Sequence, residues 1–263
     1  MKAGFLQFAP VLGNPNANLE QIVALLPPAG TADLIVLPEL CNSGYRFENR
    51  EQARSLAEPV AQSAFLSQLA HLCADRRLNL VVGFNELDGD RLYNTAVLVG
   101  PDGPVGKYRK LHLFMDEKDI FEPGDCGLPL FEVAGSNVGV LICFDWIFPE
   151  AWRALALRGA DLICHPSNLV LPGLCQRSVP THALCNRVYV ITANRYGAER
   201  DLTFTGRSVM VDPKGNVLGE APPDHDHCFV AELDLSLARD KWITPRNHAF
   251  DDRRPSEYGP LTE

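Results

Sequence analysis

Ten β-rich runs, at 2–8, 33–37, 79–87, 93–100, 104–111, 138–143, 161–165, 189–195, 208–213 and 228–234, are joined in two different ways, and that mixture restricts the fold more than any other feature. Asp88-Gly89-Asp90 and Pro101-Asp102-Gly103 are tight-turn chemistry that closes antiparallel hairpins, because glycine and aspartate enter turn conformations at little cost. Segments 15–27, 59–77, 149–158 and 176–187 carry apolar residues at helical spacing, and each is long enough to cross over between parallel strands. Hairpins and crossovers in one chain imply mixed sheets. No Gly- or Ser-rich linker divides the 263 residues, so one α/β domain over 1–263 is expected, with two sheets packed together and helices outside. From Arg239 onward periodicity fades among prolines and the charged run Asp251-Asp-Arg-Arg254. Residues 239–263 are therefore expected to form a tail over the surface or a neighbouring subunit.

The partners are narrowed by charge. The chain has 24 Lys and Arg against 33 Asp and Glu, a net charge of −9, and no Lys/Arg run. Neither nucleic acid nor an anionic membrane is an expected partner, because each needs a compensating basic patch. Residues 1–8 enter a strand-like segment directly, and no stretch has a signal-peptide pattern or enough apolar residues to span a bilayer, so a cytoplasmic protein is expected. The eight cysteines lack a short repeating spacing, and several sit in apolar runs, which fits reduced thiols better than a disulfide framework. No CxxC or HxxxH pair occurs, and Cys164-His165 places adjacent strand residues on opposite faces; no metal is expected.

Three strand ends carry chemistry. The apolar run from Val138 ends at Cys143, and Phe144-Asp-Trp-Ile-Phe-Pro149-Glu150 reads as a helix start. A thiol at that elbow stands beside free backbone N–H groups, which lower a thiol pKa and can stabilise an oxyanion. The alternative use of a strand cysteine is as a small buried hydrophobe. Ile35-Val-Leu-Pro38-Glu39-Leu40 puts a carboxylate just past a buried strand, where proline has removed a ladder donor. Burial there suits a general base, although a surface glutamate at a strand exit has the same signature. In Gly106-Lys-Tyr-Arg-Lys110-Leu-His112-Leu-Phe114, Lys110 ends a strand reached by a hairpin and points away from Leu111 and Leu113, into a cleft or along a solvated edge.

The set Glu39, Lys110 and Cys143 resembles that of the nitrilase, or carbon–nitrogen hydrolase, superfamily. The resemblance runs along nearly the whole chain, through Leu37-Pro-Glu-Leu40, Gly106-Lys-Tyr-Arg-Lys-Leu-His112, Ile142-Cys-Phe-Asp-Trp-Ile-Phe-Pro-Glu150, Phe204-x-Gly206-x-Ser208 and Asp212-Pro-x-Gly215. It implies a four-layer αββα sandwich, two mixed β-sheets face to face with helices outside, dimerised through outer helices into a longer stack. It also implies Glu39, Lys110 and Cys143 as a catalytic triad, and a second glutamate, Glu117, that orients the site. Under that reading Glu39 takes the thiol proton, Cys143 attacks a carbonyl carbon, and Lys110 with the backbone N–H of Phe144 stabilises the oxyanion. No metal or organic cofactor enters these steps.

Tyr45, Trp146, His165, Asn168 and Leu169 follow such strand ends or lie in His165-Pro-Ser-Asn168, and are candidate pocket-wall residues. His112 is read as a structural hydrogen-bonding residue, Asp145 and Glu150 as acceptors that fix the elbow, Asn186 and Arg187 as helix–sheet anchors, and Cys164 and Cys185 as core thiols. Cys143-Phe-Asp with the later Pro149-Glu150 is similar to amidase-type branches, whereas nitrile-hydrolysing members usually show Cys-Trp-Glu. The expected activity is hydrolysis of a small carboxamide to a carboxylic acid and ammonia through a thioester, by a homodimer or higher homo-oligomer. N-carbamoyl and nitrile hydrolysis are the alternatives within the superfamily. An ω-amidase acting on dicarboxylic monoamides would need a cation for the free carboxylate. Outside the superfamily the alternatives are a non-catalytic scaffold and a redox-sensing cysteine protein.

Overall fold

Both glycine turns close hairpins in the computed structural model, which describes residues 1–261; positions 262 and 263 of the expected tail lie outside the described residues. In chain order the elements are β1 (Lys2–Gln7), α1 (Pro15–Leu25), β2 (Leu34–Val36), α2 (Arg50–Ser55), α3 (Ala64–Arg76), β3 (Asn79–Asp88), β4 (Arg91–Gly100), β5 (Gly103–Arg109), α4 (Glu117–Ile120), β6 (Leu130–Val133), β7 (Ser136–Val140) and α5 (Pro149–Leu157). They continue with β8 (Leu162–Ser167), α6 (Leu174–Asn186), β9 (Tyr189–Asn194), β10 (Tyr196–Glu199), β11 (Leu202–Thr205), β12 (Val209–Val211), β13 (Val217–Glu220), β14 (His227–Glu232), α7 (Leu235–Arg239), β15 (Trp242–Thr244) and β16 (Asn247–His248). Two six-stranded sheets result, ordered β14-β1-β2-β3-β4-β5 and β13-β12-β9-β8-β7-β6. Each has three parallel strands at its heart, β1-β2-β3 and β7-β8-β9, extended by antiparallel strands on both sides.

The layering follows from side-chain alternation. Ala3, Phe5, Leu34, Val36, Val81, Ala96 and Leu98 share one core with the second sheet, whose β8, β9 and β12 lie against β1, β2 and β3. Their neighbours Leu6, Ile35, Leu37, Leu80, Val82, Val97 and Val99 face the other way and pack with Ile22 of α1 and Phe65, Leu66 and Leu69 of α3. Period-two alternation between two apolar surroundings is what a strand covered on both faces requires. Each fully buried Leu, Val or Phe stabilises the fold by roughly 1.5–3 kcal/mol. Trp152 and Leu155 of α5 with Val179 and Ala183 of α6 cover the second sheet. The molecule is thus the expected αββα sandwich of two mixed sheets.

Short elements depart from the expectation. β6, β10, β11, β13, β15 and β16, and helices α2, α4 and α7, span two to six residues each and were not expected, because so few residues cannot establish a period. The run 138–143 is not one strand: pairing stops at Val140, and Cys143–Ile147 form a 3₁₀ turn before α5. In the tail, Lys241 Nζ donates to the carbonyls of Asn186 (3.3 Å) and Arg187 (2.7 Å) at the end of α6, and Phe250 packs under Arg153 and Lys241. Among the described residues no helix is long and apolar enough to cross a membrane.

Candidate active site

Glu39 is delivered by the loop that follows β2. Leu37 N–H still donates to Val81 O at 2.8 Å; Pro38 has no N–H, and Leu40 adopts φ +48°, which turns the chain out of the sheet. A close approach makes this turn feasible: a Cβ on Gly83 would lie 2.4 Å from Glu39 Cα and 2.2 Å from Pro38 O. Lys110 follows β5, its N–H bonded to Asn94 O at 2.8 Å and its carbonyl to Gly124 N–H at 2.9 Å. The two side chains meet in the interior. Lys110 Nζ donates to Glu39 Oε1 and to Glu117 Oε1, both at 2.7 Å, and all three groups are buried. Asn94 Nδ2 donates a further 2.7 Å bond to Glu39 Oε1, whereas Glu39 Oε2 is buried without a partner. Glu117 is held by Tyr45 Oη at 2.7 Å and by Phe114 N–H at 3.1 Å.

Cys143 sits at φ +42°, a left-handed conformation that costs an L-residue roughly 1–2 kcal/mol. Surrounding bonds impose it. Asp145, fully buried, accepts from Ile142 N–H (2.8 Å), Tyr108 Oη (2.7 Å), His112 N–H (3.3 Å) and His112 Nδ1 (2.6 Å), which ties the elbow to the strand end that carries Lys110. The carbonyls of the elbow are drawn the other way: His165 Nε2 donates to Cys143 O at 2.9 Å, Trp152 Nε1 to Asp145 O at 3.1 Å, and His182 Nε2 to Trp146 O at 2.8 Å. A carbonyl only accepts, so both imidazoles carry their proton on Nε2.

The charges are mutually dependent. Burial alone would strip Lys110 of its proton, but Glu117 and Glu39 outweigh it and hold the ammonium well above the ordinary lysine range. Glu117 is pushed up by burial and by Glu39, against the opposing pull of Lys110. The Cys143 thiol is pushed well above its ordinary value, first by burial and then by Glu39, with Lys110 and the Asn168 backbone N–H opposing. The expectation that the elbow lowers this thiol pKa is therefore corrected: desolvation exceeds what the backbone donor supplies. The resting sulfur is a thiol.

Of the pocket-wall candidates, Phe144, Trp146, Asn168 and Leu169 line a hollow beside Cys143, together with Phe114, Val170 and Leu171, and Tyr45 lines a second hollow with Glu117. His165 is placed differently. It is fully buried beneath the elbow, between Cys143 O and Thr192 Oγ1, and does not line the cleft beside Cys143. Burial pushes its imidazole down to about 4, so it is neutral at ordinary pH. Cys164 is fully buried, but Cys185, expected in the core, is exposed, as is Glu150. Asn186 Nδ2 donates to His182 O within α6, while Arg187 reaches Pro213 O and Asp240 O beyond the helix. Asn94 and Phe114 were missed; the one sign of Asn94 was a polar residue within the apolar strand 93–100. Among the described residues no group of three or more His, Cys, Asp or Glu side chains is arranged to hold a metal ion.

An αββα sandwich with a buried carboxylate–ammonium cluster beside an elbow thiol places the molecule among the sandwich-fold hydrolases. The sequence matches the carbon-nitrogen hydrolase family over residues 2–241, and the chain belongs to that family: it is a hydrolase acting on carbon–nitrogen bonds. It is 45% identical over 260 residues to a nitrilase of Pyrococcus abyssi, covering 98% of this chain and 99% of that protein. It is 38% identical to an (R)-stereoselective amidase of Pseudomonas sp., covering 89% of this chain and 85% of that one. The crystal structure of an amidase from Nesterenkonia sp. superposes with a TM-score of 0.79 at 26% identity, over 99% of this chain and 96% of that one. A mutant of that amidase, with TM-score 0.80 at 26% identity and the same coverage, shows covalent addition of the acetamide moiety of fluoroacetamide at its active site cysteine.

Proposed function

We propose that the protein is an amidase that converts a small carboxamide to a carboxylic acid and ammonia, with Cys143 as nucleophile, Glu39 as general base and acid, and Lys110 as oxyanion partner. The observation that carries this reading is the asymmetry of Glu39: Oε1 is occupied by Lys110 and Asn94, and Oε2 is buried with no partner. A carboxylate oxygen with no donor of its own is free to take a proton, and the resting thiol has one to give.

Glu39 Oε2 takes the thiol proton as the sulfur–carbon bond forms, and the carbonyl electrons move onto oxygen. Lys110 and the Phe144 N–H meet that charge; one such donor typically contributes about 2.7–4 kcal/mol to lowering the barrier. The carbon–nitrogen bond then breaks, Glu39 returns its proton to nitrogen, and ammonia leaves. Water gives a proton to Glu39 as its oxygen attacks the thioester, the carbon–sulfur bond breaks, and Glu39 passes that proton to the sulfur, which restores the thiol and releases the acid. Glu117, gripped by Lys110, Tyr45 and Phe114, keeps the ammonium in place. Asn168 Nδ2 is committed to Glu39 O at 2.9 Å, which leaves its buried, unpartnered Oδ1 as an acceptor for the substrate nitrogen.

Nitrile hydrolysis is the second reading, favoured by the name of the Pyrococcus abyssi relative. Ammonia release from matched amides, nitriles and N-carbamoyl compounds separates the two. Amides as the better substrates, with turnover lost in Cys143→Ala, support the proposal; turnover of nitriles alone replaces it.

A further inference from the structure

We propose that the site accepts amides with a short, uncharged acyl chain and rejects those that carry a carboxylate. This rests on the amidase reading and specifies the acyl group. The hollow beside Cys143 is walled by Phe114, Phe144, Trp146, Leu169, Val170 and Leu171, with Asn168 supplying the polar side chain, and no charged side chain among the described residues lines it. Its cavity volume is about 10 Å³, far below the roughly 300–1,000 Å³ typical of pockets for drug-sized ligands, so it has room for a short chain at most.

The hollow on the Tyr45–Glu117 side shares Phe114 with it. Among the described residues lining either hollow, Arg46 and no other is a lysine or arginine. It is already occupied: Nη1 reaches Asp116 Oδ2 at 2.5 Å, while Nε and Nη2 reach Asp201 Oδ1 and Oδ2 at 2.8 and 3.1 Å. Two aspartates face one guanidinium, so the Arg46 cluster carries an excess of negative charge. Lys110, the cation of the catalytic cluster, is buried and engaged by Glu39 and Glu117. A substrate carboxylate would have to lose its hydration against apolar walls, or displace an aspartate from Arg46 while facing the other; neither offsets the desolvation. An uncharged chain gives up only the water around its methylenes, which favours burial.

The test measures kcat/KM for butyramide, succinamate and 4-aminobutyramide, which share a chain length and differ in terminal charge, using the native chain, an Asp116→Asn/Asp201→Asn double variant, and Arg46→Gln. Butyramide is expected to exceed succinamate by about 100-fold or more in the native chain, and the double variant, by freeing Arg46, is expected to raise the succinamate-to-butyramide ratio by about tenfold. Arg46→Gln lowers that ratio below the native value. Because each figure is a ratio within one preparation, a partial loss of folded protein cancels. Succinamate turned over as well as butyramide by the native chain, or a ratio unmoved in both variants, overturns the inference while leaving the amidase reading intact. No ammonia from any of the three, with Cys143 unacylated by mass spectrometry, overturns the amidase reading and this inference with it.

Discussion

Glu39 Oε1 and Oε2 differ in their surroundings because Asn94 and Lys110 both choose Oε1. Removing the amide in Asn94→Ala deletes a hydrogen bond to a charged group, worth about 1.5–3 kcal/mol, so kcat/KM should fall by about 10- to 100-fold. An unchanged kcat/KM in Asn94→Ala would contradict this role. His165 gives a stability prediction. Its pKa falls from 6.5 to about 4 on folding, so between those values the unfolded chain binds a proton that the folded chain refuses. Stability is therefore present above pH 6.5 and is lost as pH falls towards 4, by up to about 3 kcal/mol. Urea midpoints at pH 7 and pH 4.5 should differ more for the native chain than for His165→Asn; equal differences would refute it. At this scale Glu39, Lys110 and Cys143 stood out in the sequence because each stands at the end of its own strand. Asn94 did not, since an amide within a strand reads as structural, and strand position alone cannot separate a residue beneath the elbow, such as His165, from one on the cleft wall.

At the scale of elements, the β3-β4-β5 hairpins that deliver Lys110 are locked by a buried ion cluster. Glu86 accepts from Thr95 Oγ1 (2.6 Å), Lys107 Nζ, and Arg109 Nε and Nη2 (2.9 and 2.7 Å), while Arg109 also reaches Asp88 and Asp125 and lies 3.6 Å from the Tyr93 ring centroid. Glu86→Ala strands Arg109, itself only 4% exposed, and should cost about 3 kcal/mol, the lower end for a broken buried pair because Asp88 and Asp125 remain. A shift in urea midpoint equivalent to less than about 1 kcal/mol would show that the cluster contributes no more than surface pairs do. The strands and helices long enough to show a period were legible, as were both glycine turns. The short ones were not, and the elbow's irregular turn over Cys143–Ile147 was read as the last residue of a strand over 138–143 followed directly by a helix start. Tertiary bonds from Asp145, His165, Trp152 and His182 decide that geometry, and no local pattern announces them.

At the scale of the molecule, mixed connections foretold two mixed sheets, and the alternation of Leu34-Ile35-Val36-Leu37 between two cores shows why the sandwich needs helices outside. What the residues alone did not reveal is that the ends of β2, β5 and β7 converge, because strand spacing carries no information about which ends share a rim; the resemblance supplied that convergence. The chain's extremities are closed by pairing: Lys2 of β1 stands opposite Glu232 of β14, so the first strand depends on one of the last. The account as a whole comes down to whether the elbow thiol performs the chemistry. Ammonia release from butyramide by the native chain and by folded Cys143→Ala tests that most directly. Repeated turnover by the native chain with a loss of about 10⁴-fold or more in the variant is the predicted result. Comparable turnover by both proteins would contradict it.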